Sequence, residues 1–103
     1  MTQVIFMPSF REQLREIRDY IKIDSEFQSR RVMAEILKTA RRLATFPEIG
    51  AFVPELMSKR FREIHVFKYR IIYRFRKKTD EVHILAVVHA ARSLSKQFFR
   101  RLT

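Results

Sequence analysis

The side chains best suited to chemistry in this chain are arginines and histidines in its C-terminal half: Arg70, Arg74 and Arg76 with His83 and His89. An arginine can stabilise the negative charge that develops on a phosphate during cleavage, and a histidine can take up or release a proton near neutral pH. Together on an open sheet face, an arginine and one or two histidines could form a centre that cleaves a phosphodiester without a metal. Arginine and histidine on strands are more often solvated or structural, so spacing alone favours a structural role.

Other catalytic chemistries have less support in the sequence. The histidines His65, His83 and His89 lack the companion spacing of a zinc site, so no metal is predicted. The single glycine cannot build a phosphate-binding loop, and there is no cysteine for thiolate or disulfide chemistry. We therefore expect no cofactor, and the lack of cysteine agrees with a cytoplasmic protein.

Positive charge is concentrated in the second half of the chain. Residues 1–58 carry a net charge of +1 and residues 59–103 a net charge of +10. Such asymmetry favours a nucleic acid, a ribosome or an acidic protein as the partner of that half. The candidate contact residues are Arg62, Arg70, Arg74, Arg76, Arg92, Lys96, Phe98, Arg100 and Arg101.

The strand that must position these groups is residues 69–76. Apolar residues occupy its odd positions, and arginines occupy three of its even positions. Because successive strand side chains point to opposite faces, we expect helices to cover the apolar face and water or an anionic partner to meet the arginine face. Tyr69 and Tyr73 are then core residues rather than platforms for base stacking.

The first half of the chain predicts one strand and two helices. Residues 2–7 form an apolar strand, Ser9 and Glu12 have the spacing of a capping box, and Ser25 is a cap for a second helix that ends near Phe46. The short link between the helices favours an antiparallel hairpin. The apolar stripe of the second helix is Phe27, Val32, Ile36, Ala40, Leu43 and Ala44.

The second half predicts three strands, at residues 60–67, 69–76 and 81–89, and a short basic helix within residues 92–102. Residues 77–80 are a polar turn that makes the last two strands an antiparallel hairpin. We expect a single α+β domain over residues 1–103, with an N-terminal strand and a helical hairpin packed on a mainly antiparallel sheet of three to four strands.

The last strand is apolar on both sides, so alternation does not settle which side faces the helices. We assign the helix-facing side to Val82, Ile84, Ala86 and Val88. This assignment leaves His83 and His89 free to join the arginine face.

With these motifs the chain resembles the RelE/ParE superfamily of toxins from bacterial type II toxin–antitoxin systems. The matching pieces are Leu43-x-x-Phe46-Pro47-x-x-Gly50, Arg62-Glu63, Tyr69-Arg70-Ile71-Ile72-Tyr73-Arg74, Ile84-Leu85 and His89-x-x-Arg92. The resemblance implies the same helical hairpin on an antiparallel sheet. It also implies a cognate antitoxin that covers the basic surface with an acidic, partly disordered segment.

The RelE-like branch implies a ribosome-dependent mRNA endonuclease. Arg70 matches its arginine, and His65 and His89 resemble histidines of one such branch. The chain departs from that pattern because no tyrosine follows Tyr73 and no acidic residue follows His65 closely. Cleavage would then rest on arginine and histidine alone.

The ParE-like branch is the interpretation we favour, because His89-Ala90-Ala91-Arg92 is similar to its closing motif. It implies a toxin that poisons DNA gyrase by protein contact, with the basic tail as a gyrase-binding element. Arg70 and His89 are then structural or contact residues. A third hypothesis is a non-toxic basic module that binds DNA or RNA.

Overall fold

Five strands of the chain form one mixed sheet, and a helical hairpin packs against it. The computed structural model describes residues 1–102. In chain order the elements are β1 (Gln3–Phe6), α1 (Pro8–Asp24), α2 (Glu26–Arg41), a 3-10 turn (Arg42–Ala44), β2 (Ala51–Phe52), β3 (Arg62–Val66), β4 (Tyr69–Arg76), β5 (Glu81–His89) and α3 (Lys96–Arg101). The strand order is β1-β5-β4-β3-β2, with β1 parallel to β5 and the other neighbours antiparallel. The expected α+β class is confirmed; the additional strand, β2, has only two residues and therefore gave no periodic signal.

Helix α1 begins differently from the capping box that the sequence predicted. The helix starts at Pro8 with Met7 at the N-cap, and no side chain caps it. The Ser9 hydroxyl instead donates to the carbonyl oxygen of Leu85, which ties the helix to β5. The capping box of Ser9 and Glu12 was thus wrong, because proline suits the first helical position through its fixed φ and missing N–H.

Helix α2 begins as predicted and ends slightly earlier. The Ser25 hydroxyl accepts a hydrogen bond of 3.1 Å from the N–H of Gln28. Regular helix stops at Arg41, and the 3-10 turn carries the chain onward. Phe27 was expected in the core but is 76% exposed, because the apolar stripe does not specify where along the helix the sheet begins to cover it.

The sheet has a buried core on each face. The helix side buries Phe10, Val32, Ile36, Ala40, Leu43, Tyr69, Ile71, Tyr73, Val82, Ile84 and Val87. The other side buries Val53, Phe61, Ile72, Leu85, Ala86, Val88, Leu94 and Phe99. The loop before β3 and the C-terminal tail supply the cover of this second face. The expectation of an open arginine face was therefore wrong where Arg70 lies, since that residue is only 3% exposed.

A bulge in β5 inverts its faces part-way along the strand. Ile72 pairs with Ala86, whereas the next residue, Tyr73, pairs with Ile84, so Leu85 is an extra residue. An unpaired residue shifts the alternation of side chains by one position. Our assignment of Ala86 and Val88 to the helix side was consequently wrong, while the assignment of Val82 and Ile84 was correct.

Gly50 is required by a close approach between the loop and the sheet. Its N–H donates a 2.9 Å hydrogen bond to the hydroxyl of buried Tyr73. An added Cβ would lie 2.6 Å from the carbonyl oxygen of Glu63 and 2.7 Å from the Tyr73 hydroxyl. The backbone oxygen of Glu63 belongs to β3, which is paired on both sides, so it cannot move away without disturbing the sheet.

We expect Gly50→Ala to lower the free energy of unfolding by about 1–3 kcal/mol through this overlap. Chemical denaturation measures the change. The control is Ala51→Ser at the adjacent exposed position, which should stay within about 0.5 kcal/mol of the original chain. Equal stability of both variants would contradict the close approach.

Candidate functional site

Arg70 lies at the centre of a buried charge cluster on the second face of the sheet. Its Nη1 donates to Glu55 Oε1 at 2.9 Å and to Glu63 Oε1 at 2.7 Å. Its Nη2 donates to Glu55 Oε2 and to the carbonyl oxygen of Arg92, the latter at 2.8 Å. The guanidinium is thus held by two carboxylates and one backbone carbonyl.

The charges of this cluster reinforce one another. The hydrogen bond from Arg70 lowers the pKa of Glu55 to about 2, and the backbone N–H of Leu94 contributes in the same direction. The hydrogen bond to Glu55 also raises the pKa of Arg70 above its ordinary value. Arginine and glutamate are therefore both charged at neutral pH, and the guanidinium is already neutralised by protein groups.

The same cluster fastens the C-terminal tail to the sheet. Glu55 Oε2 accepts a 3.0 Å hydrogen bond from the N–H of Leu94, two residues beyond the carbonyl that Arg70 contacts. Leu94 and Phe99 are 5% and 3% exposed, so the tail also buries apolar side chains in the second core. Charge and packing together fix the position of α3.

His65 lies beside this cluster but largely in solvent. It pairs with Arg70 across β3 and β4, and its side chain is 55% exposed. Its Nε2 is 3.0 Å from Glu63 Oε2. His65 thus has an acidic partner after all, which precedes it in the sequence rather than following it.

His89 lies on the opposite face of the sheet. It pairs with Tyr69, and the two ring centroids are 6.1 Å apart. Arg70 pairs with Val88, which belongs to the second core. The structure therefore brings Arg70 and His65 to one face and leaves His89 on the other, because the bulge at Leu85 inverts the end of β5. The expectation that His89 joins the arginines was wrong.

Arg62 has a structural position at the sheet edge. Its Nη1 donates to the carbonyl oxygens of Glu48 at 3.1 Å and Gly50 at 2.8 Å. The guanidinium also lies over the ring of Phe52, 4.2 Å from its centroid. Arg62 thus stabilises the loop that leads into β2.

The remaining basic residues of interest are more accessible. On β4, Arg74 is half-buried and Arg76 is exposed. In the tail, Arg92 is exposed and its guanidinium lies 5.4 Å from the ring centroid of half-buried Phe98. Lys96, Arg100 and Arg101 of α3 are exposed as well. The tail therefore offers a basic surface. The cluster of Arg70, Glu55 and Glu63, which we call the clamp, holds this surface in place.

Within residues 1–102, no group of three or more His, Cys, Asp or Glu side chains is arranged to hold a metal ion. In the same part of the chain, no helix is long and apolar enough to cross a membrane.

The family model of the ParE toxin of type II toxin–antitoxin systems (parDE) matches residues 4–94. The chain belongs to the ParE toxin family. The match covers the helical hairpin and the sheet from Val4 onward, and it ends at Leu94, where the tail is fastened. The resemblance to the RelE/ParE superfamily that the sequence motifs indicated is confirmed.

Solved toxin structures share the fold at low sequence identity. The chromosomal ParDE toxin–antitoxin system from P. aeruginosa is similar with a TM-score of 0.69 and 16% identity over 86% of this chain and 96% of that one. The RelBE2 complex from Mycobacterium tuberculosis has a TM-score of 0.64 and 22% identity over 85% and 96% of the two chains. The isolated E. coli RelE toxin has a TM-score of 0.65 and 16% identity over 99% and 96%. A search of curated protein sequences found no match.

Two residues of the site in this ParE-family chain were missed by sequence reasoning. Glu63 follows Arg62 directly, and a tight two-residue turn between β3 and β4 would have placed it on the Arg70 face. Glu55 lies in an irregular loop that has no periodicity, so nothing in its position signalled a contact with a strand 15 residues later.

We expect Arg70→Ala to lower the free energy of unfolding by about 3–5 kcal/mol, because Glu55 and Glu63 would lose their buried cation. Urea denaturation measures this loss. The control is Arg76→Ala, an exposed arginine of the same strand that should change stability by at most about 0.5 kcal/mol. A similar small change in both variants would contradict the clamp.

The clamp also predicts a pH dependence. The pKa of Glu55 is about 2 in the folded protein against an ordinary value of 4.5, so its contribution is present above pH 4.5 and is lost as the pH falls through 2. We expect the stability advantage of the original chain over Glu55→Gln to shrink across this range, as measured by denaturation at several pH values. Parallel stability curves for the two proteins would contradict the shifted pKa.

Proposed function

We propose that this protein is a growth-inhibiting toxin that poisons DNA gyrase by protein contact and is neutralised by a cognate antitoxin. The observation that carries the proposal is the environment of Arg70. In the nuclease interpretation this guanidinium must bind a phosphate. It already donates hydrogen bonds to two carboxylates and a backbone carbonyl. Membership of the ParE family agrees with a mode of action that needs no such centre.

The contact element of this proposal is the tail. Burial of Leu94 and Phe99 and the hydrogen bonds of the clamp fix α3 on the second face. Lys96 and Arg101 remain exposed and point a positive surface away from the sheet. A preorganised basic element of this kind steers association with an acidic protein surface and loses little entropy on binding.

The antitoxin part of the proposal rests on the charge of the chain and on the similar solved structures. The net charge of +10 in residues 59–103 suits an acidic, partly disordered segment that folds on binding. Similar solved structures include the ParDE system from P. aeruginosa and the RelBE complex of E. coli, which are toxin–antitoxin assemblies. Because gyrase acts on the chromosome, we place the protein in the cytoplasm.

We expect the purified protein to inhibit gyrase supercoiling and to trap gyrase–DNA cleavage complexes. Lys96→Gln/Arg101→Gln should weaken inhibition several-fold, while Lys22→Gln/Lys38→Gln, with the same loss of charge on the helices, should not. Point substitutions are preferable to truncation after Ser93, since truncation would remove the buried Leu94 and Phe99. Inhibited growth on expression, relieved by the antitoxin, is the matching result in cells.

Unaffected gyrase at excess protein would overturn the proposal. The next experiment would then assay mRNA cleavage on translating ribosomes. Cleavage by the original chain that is lost in His65→Gln would establish the RelE-like alternative. Undisturbed growth with soluble protein would leave the basic nucleic-acid-binding module as the remaining hypothesis.

A further inference from the structure

A cleft at the β2 edge of the sheet is lined mainly by cations. It has a volume of about 290 Å³. Its lining residues are Glu48, Phe52, Lys59, Arg60, Arg62, Phe75 and Lys77. We call this group, with the neighbouring Arg74 and Arg76, the basic edge. The lining contains no residue of the Arg70 clamp and none of α3.

Within residues 1–102, most cations of the basic edge have no carboxylate at ion-pair distance. Among the described residues, Glu48 is the one carboxylate that lines the cleft, and it lies 3.6 Å from both Arg62 and Lys77. Within residues 1–102, Lys59 and Arg60 have no carboxylate at ion-pair distance. Cations that gather without acidic partners are the usual footprint of a polyanion.

Arg74 extends this pattern onto β4. Its Nε is buried and has no hydrogen-bond partner in the described part of the chain. Burial lowers the pKa of Arg74, and the nearby charges of Arg76 and Arg60 add to the effect. Glu81 pairs with Arg76 across the strands, but its carboxylate lies 3.2 Å from His83 Nε2. An anion at this place would relieve the repulsion.

Arginine guanidinium groups lie over two aromatic rings at or beside the basic edge. Arg62 lies 4.2 Å from the centroid of Phe52, and Arg60 lies 5.6 Å from that of buried Phe61. Proteins that bind single strands offer free rings on which bases stack. Phe52 is 40% exposed but carries Arg62 over its ring, and Phe75 packs against the helix-side core. The surface therefore offers more charge than free ring area, which favours the backbone of a duplex over an unpaired strand.

We propose that the basic edge binds the phosphate backbone of duplex DNA, without reading its sequence and without help from gyrase. Side chains two positions apart on a strand, such as Arg74 and Arg76, are about 6–7 Å apart, comparable to the spacing of successive phosphates. This binding goes beyond the proposed gyrase contact. It would hold the toxin on the DNA near its target.

The test is binding of the purified full chain to a fluorescent 20-base-pair duplex, followed by anisotropy over a range of salt concentrations. Lys59→Gln/Arg76→Gln removes two exposed cations of the basic edge. Near 0.1 M salt we expect an affinity loss on the order of 50-fold and a salt slope shallower by about 2. Lys22→Gln/Lys38→Gln removes the same charge from the helices and should change both quantities little. Thermal unfolding checks that both variants are folded.

Equal losses in the two variants would overturn the proposal, because binding would then reflect net charge alone. Preference for a single-stranded RNA of the same length would overturn the assignment to duplex DNA, and so would the absence of binding at about 0.05 M salt. The measurement contains no gyrase. Failure of DNA binding therefore leaves the gyrase proposal standing, and inhibition that fails while DNA binding persists would overturn only the gyrase proposal.

Discussion

The structure depends most on the buried contact of Arg70 with Glu55 and Glu63. An unpaired guanidinium at 3% exposure would be strongly destabilising, and the two carboxylates remove that penalty. They come from different places, a loop and the neighbouring strand β3. The cluster therefore joins the loop, the central strand and the tail at one point, and the second core closes around it.

This arrangement gives Arg70 a different role from the one its residue type suggested. A catalytic arginine must be free to meet a developing negative charge. Here the guanidinium positions the tail instead, through the carbonyl of Arg92 and through Glu55, which holds the N–H of Leu94. The same strand residue that could serve a nuclease serves as a fastening point, which is consistent with a protein that acts through its surface.

The positive charge of the chain is divided between two surfaces. One is the tail, where α3 presents Lys96 and Arg101, and the other is the basic edge around Arg60 and Arg74. The clamp of Arg70, Glu55 and Glu63 is neutralised internally and belongs to neither surface. In our proposals the first surface contacts a protein and the second contacts a polyanion.

The sequence by itself determined the fold class, the bounds of β4 and β5, the helical hairpin and the concentration of charge in the second half. These features follow from local periodicity, turn residues and composition, all of which can be seen in the sequence without knowing which distant residues meet. Only the tertiary structure decided that Arg70 is buried, that Glu55 is its partner and that His89 lies on the helix side. Each of these depends on a feature without a periodic signal: an irregular loop, a folded-back tail and a single extra residue, Leu85, that inverts the faces of β5.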